Sequence, residues 1–387
     1  MSRHKSKPLG INKAKYRHPV SRAGRSASKN GKRKECLMKR KGFVWEELVS
    51  TENCEQAVLD ALSNKKKTPY LRHVLNNYKE YGNKIQQEMI DGWIPGPTRT
   101  KTINEGTSNK VRELLIPILR DHMIHTAVAR ILKKYISKRF YFYACGSIPK
   151  RGQLFACKAV EGNLRKKKPK NAALADVKGF YKNLKKQKVM KCLRRVFKDK
   201  RFLMINNLIL DQMKDGLAIG FTVSHWYAQL VMSFVDQELK ANTRSQRVFL
   251  VRFMDNFVLT CPRKRTLHKL INKLKDILKE YGLWVKPDWQ VFPIKSRMIE
   301  FLYYRMDYTK TILKKKLMYR MSKRYSNIKW YGLTAHKARV VMSDRGILKY
   351  CDSYNFRKDY LYPNVSLELC RRLISDADKK RSLLNTA

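Results

Sequence analysis

Asp255-Asn256 lies between two short apolar runs, 248–253 and 257–261. Taken alone, an Asp-Asn step between two strand-like runs is an ordinary hairpin turn. It gains chemical meaning only if a second carboxylate is brought beside it. Asp176 offers one, at the end of the otherwise apolar run 172–177. A carboxylate on a buried strand costs roughly several kcal/mol unless it is paired or metal-bound. Two readings stay open at this point: an ion pair with one of the many basic side chains, or a hard cation. Mg²⁺ prefers oxygen ligands and commonly takes one or two carboxylates together with substrate phosphates. Two such ions about 3.5–4 Å apart can clamp the attacking and leaving oxygens of an in-line displacement at phosphorus.

Several elements must position these groups. The pattern from 45 to 92 is helical, and 93–100 reads as a Pro/Gly loop. Apolar positions Leu114, Leu115, Ile118, Met123, Ala127, Ile131 and Leu132 form a helical stripe within 110–138. A short buried strand is expected at 172–177, helices from there to Met213, and a long apolar helix from 222 to about 240, punctuated at its start by Gly216 and Gly220. The two strands of the Asp-Asn hairpin precede a basic helix at 264–281, further strands at 283–292 and 298–308, and a basic helical region from about 312. Alternating strands and helices imply an α+β architecture with an antiparallel sheet.

The charge balance narrows the partners. The 387 residues carry 85 Lys and Arg against 31 Asp and Glu, a formal net charge of +54. A compact chain so charged repels itself unless a polyanion neutralises it, and nucleic acid does so with release of condensed counterions. Residues 1–42 hold 15 Lys and Arg against one acid, Glu35; without apolar periodicity they read as a disordered or RNA-ordered arm. Eight scattered cysteines, none in a CxxC pair, read as reduced thiols of a cytoplasm-like compartment. No secretory signal is visible at the N-terminus. Residues 217–235 carry no formal charge, but Gly220, Ser224, His225 and Gln229 within them favour a buried core helix over a membrane span.

The order of these segments resembles that of reverse transcriptases. Lys110-Val111-Arg112 is similar to the finger motif that grips the incoming triphosphate. The stretch from Asp176 to Tyr181 resembles the first metal-binding strand with its following aromatic, and Gly220 to Ser224 the turn before the palm helix. Phe253-Met254-Asp255-Asn256 resembles the aromatic-x-Asp-Asp box, and Phe301-Leu302-Tyr303-Tyr304 the primer grip. The resemblance spans roughly 105–310.

Within that family the likeness is to the enzymes of diversity-generating retroelements. Tyr141-Phe142-Tyr143-Ala144-Cys145 and Ile219-Gly220-Phe221-Thr222-Val223-Ser224-His225 carry it. Three residues depart from the family pattern: Asn256 stands for a second Asp, His225 for a Gln, and Tyr303 for a Gly.

The resemblance implies a right-hand polymerase with fingers, an RRM-like antiparallel palm sheet and a helical thumb behind the basic N-terminal arm. The boundaries expected are 1–42 for the arm, 43–171 for N-terminal helices and fingers, 172–310 for the palm and 311–387 for the thumb. It implies an RNA-directed DNA polymerase that copies a specific RNA template into cDNA with frequent errors. Asp176, Asp255 and Asn256 would be catalytic and, with Val177 through its carbonyl, would hold two Mg²⁺ ions, Mn²⁺ being the alternative. Lys110, Arg112, Tyr181, Gly220, Ser224 and His225 would line the nucleotide site. Template RNA, cDNA, dNTPs and a small basic helical accessory protein would be partners, with no membrane, in the cytoplasm of a bacterial or phage-infected cell. Arg252 and Lys166 to Lys168 would line the duplex, and Lys286 would lie near the leaving pyrophosphate. The competing readings are a retron-like or phage-defence reverse transcriptase, and an RNA-binding scaffold weakened in catalysis by Asn256.

Overall fold

The computed structural model describes residues 39–63, 65, 68–105, 110–213, 215–243 and 247–386, with side chains to 379 and none for 105 and 110. Most of the basic arm, residues 1–38, lies outside the described residues. Its last part, at Lys41, pairs with Phe197 in an isolated bridge.

Two strands, β1 (Thr98–Glu105) and β2 (Lys110–Pro117), form an antiparallel ribbon in which Thr98 pairs with Pro117 and Ile103 with Arg112. This differs from the expected loop and helical stripe. The stripe belongs to two elements: Pro117 disfavours helical geometry in the residue before it, so the strand ends there and the helix Leu119–Ile136 begins two residues later.

The central sheet gathers β3 (Ala144–Cys145), β4 (Asn171–Asp176), β5 (Phe249–Phe253), β6 (Asn256–Cys261) and β7 (Gln290–Pro293) in the order β3-β5-β6-β4-β7. It is mixed rather than wholly antiparallel, because the short edge strand β3 runs parallel to β5. The expected strand at 283–292 is shorter than its apolar pattern: only an isolated Val177–Val285 bridge precedes β7, and Pro287 has no N–H to give to a ladder. The expected strand at 298–308 is instead a tight hairpin, β8 (Ile299–Phe301) and β9 (Tyr304–Met306), joined to β10 (Thr311–Leu313) in a separate three-stranded sheet.

Period-two alternation divides the core across the sheet. Ala173 and Ala175 of β4, Leu250 of β5, and Phe257 and Leu259 of β6 join one apolar cluster with the helices Ser224–Ala241 and Lys264–Glu280. Ala172, Val251 and Val258 face the opposite cluster, with the helix Gln153–Lys167, the β8–β10 sheet and the C-terminal helices Lys315–Tyr331 and Ala335–Leu348. The first cluster also holds the N-terminal helices, among them Thr51–Leu62 and Tyr78–Ile90. The apolar run 217–235 is the heart of the helix Ser224–Ala241 and is buried almost throughout. No described helix is long and apolar enough to cross a membrane.

Within the first cluster His125 is fully buried, its ring 4.7 Å from that of Phe221 and 5.9 Å from that of Trp93. Burial pushes its pKa down to about 4, and burial does the same to His122 and His225. A depressed histidine pKa supplies stability above the unfolded value of 6.5, and that stability is lost as pH falls towards the folded value. For His125 the loss amounts to about 2 kcal/mol by pH 5. The expected result is a urea midpoint that falls between pH 6.5 and 4 and falls less steeply in His125→Phe. An identical pH slope in wild type and variant would refute the assignment.

Candidate active site

Asp176 ends β4 directly opposite Asn256, the first residue of β6, in the antiparallel register. The ladder continues past the strand through Val177, whose N–H donates to the Asp255 carbonyl at 3.2 Å. Met254 and Asp255 form the β5–β6 turn, and Met254 takes a left-handed backbone with φ of 54°. Sheet pairing alone therefore places Asp176, Val177, Asp255 and Asn256 together, across 80 residues of sequence.

The electrostatics of this group are unbalanced. Burial first, and the neighbouring Asp176 charge second, push the Asp255 carboxyl up to about 6. The Asn256 amide donates to Asp255 Oδ1 at 3.2 Å. Lys286 donates its backbone N–H to the Asp176 carbonyl at 2.7 Å, and its ammonium forms an ion pair with Asp176 Oδ2. Burial would lower the Lys286 pKa, but the hydrogen bond and charge of Asp176, with Asp255 and Asp288, prevail and raise it. The other oxygen, Asp176 Oδ1, is buried and has no hydrogen-bond donor. Among the described residues no group of three His, Cys, Asp or Glu side chains could hold a metal. What is present is two carboxylates, one amide oxygen and backbone carbonyls. That is a hard donor set one charge short of three carboxylates, and the orphaned Oδ1 fits a cation of the Mg²⁺ type.

Behind the turn lies a polar network that the sequence reading missed. Arg252, fully buried on β5, donates Nε and Nη2 to the two Asp236 oxygens at 2.8 and 2.7 Å. Its Nη2 also reaches Gln229 Oε1 at 3.0 Å, and Nη1 donates to the Met254 carbonyl at 2.7 Å. Gln229 in turn donates to the Gly146 carbonyl at 2.6 Å. Arg252 therefore does not line a duplex, as its charge led us to expect; it ties the Asp255 turn to the helix Ser224–Ala241. A signal was present: Asp236 is the first charge after a 20-residue uncharged stretch, and Arg252 is the lone charge of an apolar strand. Opposite charges stranded in apolar segments are best satisfied by each other.

The nucleotide-site candidates divide. Tyr181 is half-buried, with its pKa pushed up to about 12 by burial and by the Asp255 charge, and Arg112 opposing. Asp255, Tyr181 and Arg112 are thus within electrostatic reach of one another. Arg112 is exposed on β2; Lys110 starts the same strand, and its side chain lies outside the described residues. The segment before the long helix locks these pieces together. Gly220 has φ of 113°, and a Cβ there would lie 2.4 Å from the Leu115 carbonyl oxygen of β2, whose N–H donates to Ile219 at 2.8 Å. At Gly216, φ 71°, a Cβ would lie 2.2 Å from the Lys182 carbonyl oxygen, and the next residue's N–H binds the Tyr181 carbonyl at 2.8 Å.

Ser224 is buried at the helix start, its hydroxyl 3.9 Å from Met213 Sδ. His225 is half-buried against Trp226, with ring centroids 4.8 Å apart. Phe301 and Tyr304 face each other across the β8–β9 pair and are buried in the second core, leaving Leu302 and Tyr303 half-buried at the turn. Lys166 to Lys168 are exposed at a helix end.

Residues 99–306 match the model of the family described as Reverse transcriptase (RNA-dependent DNA polymerase). The chain belongs to that family. No curated protein matches it. Among solved structures it is similar to apo telomerase from Candida tropicalis truncated from the C-terminal domain, at 12% identity and a TM-score of 0.45, covering 61% of this chain and 60% of that one. It is also similar to telomerase from Candida albicans in complex with a fragment of telomeric RNA, at 15% identity and a TM-score of 0.46, covering 79% of this chain and 65% of that one. This reverse transcriptase-family chain thus spans about three-fifths of the length of the first of these telomerases. Every site residue described above falls inside the matched region.

Proposed function

We propose that this chain is an RNA-directed DNA polymerase whose reaction centre is the Asp176–Asp255–Asn256 group. The observation that carries the reading is the register of β4 on β6, which sets two carboxylates together and leaves Asp176 Oδ1 buried without a donor. Asp176 and Asp255 would hold two Mg²⁺ ions with the Asn256 amide oxygen and the Val177 carbonyl. When bound, the ions supply activation of the primer 3′-hydroxyl and neutralisation of the leaving pyrophosphate.

The chain's own groups do the remaining work. Lys110 and Arg112, both on β2, neutralise the triphosphate of the incoming dNTP. Tyr181, beside Asp255, packs beneath the sugar and crowds a 2′-hydroxyl. Lys286 neutralises Asp176 and would carry a proton within reach of the leaving group. The turn residues Leu302 and Tyr303 meet the primer end, with Phe301 and Tyr304 anchoring the hairpin in the core. The template is RNA, held by the basic surface. The β1–β2 ribbon and N-terminal helices act as fingers, the five-stranded sheet as palm, and the C-terminal helices as thumb.

Asn256 gives the reading a sharp test. An amide is a neutral ligand, and replacing it with a carboxylate adds the missing charge. Asn256→Asp is expected to retain or raise primer extension while lowering the Mg²⁺ concentration at half-maximal rate by about tenfold, or ~1.4 kcal/mol. Loss of activity with the fold intact would mean the site is built around the amide.

The finer reading is error-prone copying of the diversity-generating type, which rests on the motif resemblance around Tyr141 and Ile219. His225, neutral at physiological pH because burial holds its pKa near 4, begins the palm helix beside Ser224. One altered contact to the templating pair shifts discrimination by ~1–3 kcal/mol, or about tenfold to 200-fold. Sequencing cDNA from wild type and His225→Gln on one template is expected to give errors concentrated opposite adenine and a changed spectrum in the variant. Uniformly low error in both would remove the diversity-generating assignment and leave the polymerase standing.

A further inference from the structure

Beside the reaction centre is a cavity of about 670 Å³, walled by Lys178, Asn183, Lys275, Trp284, Lys286 and Trp289. Its position follows from the backbone. Lys178 lies two residues beyond Asp176, and its N–H donates to the Trp284 carbonyl at 2.8 Å. The Val177–Val285 bridge closes the same wall. Three lysines line the cavity, and no carboxylate is among its described lining residues. The Lys275 ammonium stands 4.3 Å from the centre of the Trp289 ring, a cation–π contact that holds the charge in place. Trp284 is 52% exposed.

We propose that this cavity is a second nucleotide site, distinct from the one that positions the dNTP for transfer. Clustered ammonium groups with no acid among the lining residues, Lys286 being paired with Asp176 beyond the wall, select an anion carrying more than one charge, such as a polyphosphate. An exposed indole adds a stacking surface that any nucleobase fits. The volume lies within the roughly 300–1,000 Å³ of small-molecule sites, which suits one nucleoside diphosphate or triphosphate. Phosphates would lie among Lys178, Lys275 and Lys286, and the base against Trp284.

Lys286 makes the site consequential. Its ammonium is shared between the cavity wall and the Asp176 ion pair. A polyphosphate in the cavity draws that ammonium off Asp176 Oδ2 and returns the carboxylate to the cations. Occupancy of the cavity and cation affinity at Asp176 are then positively linked, and the linkage is reciprocal. This link rests on reading Asp176 as a metal ligand; the cavity's affinity for nucleotide does not.

Calorimetric titration of the full chain with ADP, in EDTA and without template or primer, separates the two. The expected result is saturable binding to one site, weakened about tenfold or more in Lys275→Ala and in Trp284→Leu and retained in Asp176→Ala. Neither Lys275 nor Trp284 belongs to the reaction centre, so circular dichroism of both variants should match wild type. In Mg²⁺ without EDTA, wild-type ADP affinity should rise, and in Asp176→Ala it should not. Absence of saturation at millimolar ADP, or equal affinity in Lys275→Ala, overturns the site. Inorganic pyrophosphate binding as tightly as ADP, with no effect of Trp284→Leu, overturns its nucleotide character. A short single-stranded oligonucleotide that displaces ADP far below ADP's own half-saturation concentration reassigns the cavity to a strand and overturns the proposal. If ADP binds as expected but wild type never extends a primer, the polymerase reading fails and the cavity stands.

Discussion

Asp176→Ala and Asp255→Ala are each expected to reduce primer extension by ~10³-fold or more, about 4 kcal/mol of barrier, while RNA affinity at fixed salt should stay within about twofold. The two effects separate because phosphate contacts spread over a surface of +54 net charge carry the binding, and removing one acid from such a surface does not weaken it. Asp176→Ala also leaves the Lys286 ammonium without its partner, so this variant should bind RNA at least as well as wild type. Single-turnover extension and filter binding on the same preparations measure both. Extension at a normal rate by either variant would sink the assignment of the reaction centre.

The second large effect belongs to the buried Arg252–Asp236 pair. Removing one partner of a buried ion pair leaves an uncompensated charge and costs ~3–5 kcal/mol, whereas replacing both with apolar groups is often neutral. Arg252→Met alone should therefore lower the unfolding free energy by that amount, and Arg252→Met with Asp236→Leu should recover most of it. Activity should not follow stability. The double variant still lacks the 2.7 Å donor to the Met254 carbonyl and the contact to Gln229, so the turn carrying Asp255 loses its anchor. We expect extension to stay reduced by about 10²-fold, the scale of a ~1 Å misplacement at a reacting centre. Recovery of both stability and activity in the double variant would reduce the network to a packing role. Arg252→Lys distinguishes further, because a lysine ammonium cannot serve Asp236, Gln229 and the Met254 carbonyl in one planar fork.

Much of the site was legible before the structure because its elements advertise themselves locally. An apolar run interrupted by Asp-Asn folds into the β5–β6 hairpin, and Asp176 ends the strand where its apolar run ends. Lys286 was expected near the leaving pyrophosphate; its ion pair with Asp176 was not foreseen. The β1–β2 ribbon was read as loop and helix because Leu114, Leu115 and Ile118 satisfy a helical period by accident, and only Pro117 marks the break. The edge strand β3 has two residues, too few for any periodicity to register. Arg252 was misplaced for a different reason. In a chain with 85 basic residues, one more cation carries little information; its meaning lies in Asp236, 16 positions away, and no local pattern joins them.

The two apolar clusters on either face of the central sheet carry a consequence for how the protein breathes. Strand β6 is hydrogen-bonded on both sides, to β5 and β4, and covered on both faces. Its amides should exchange with deuterated solvent only when the whole domain opens, as should those of β4. The β1–β2 ribbon, two strands with exposed Val111, Arg112 and Glu113, should exchange through small local openings orders of magnitude sooner. Asp176 thus ends a strand expected to exchange among the slowest of the described residues, with Asp255 in the turn that leads into β6, and Arg112 stands on a ribbon expected to exchange early. A protein arranged in this way can hold its charges still while the part that would close over a small ligand stays free to search.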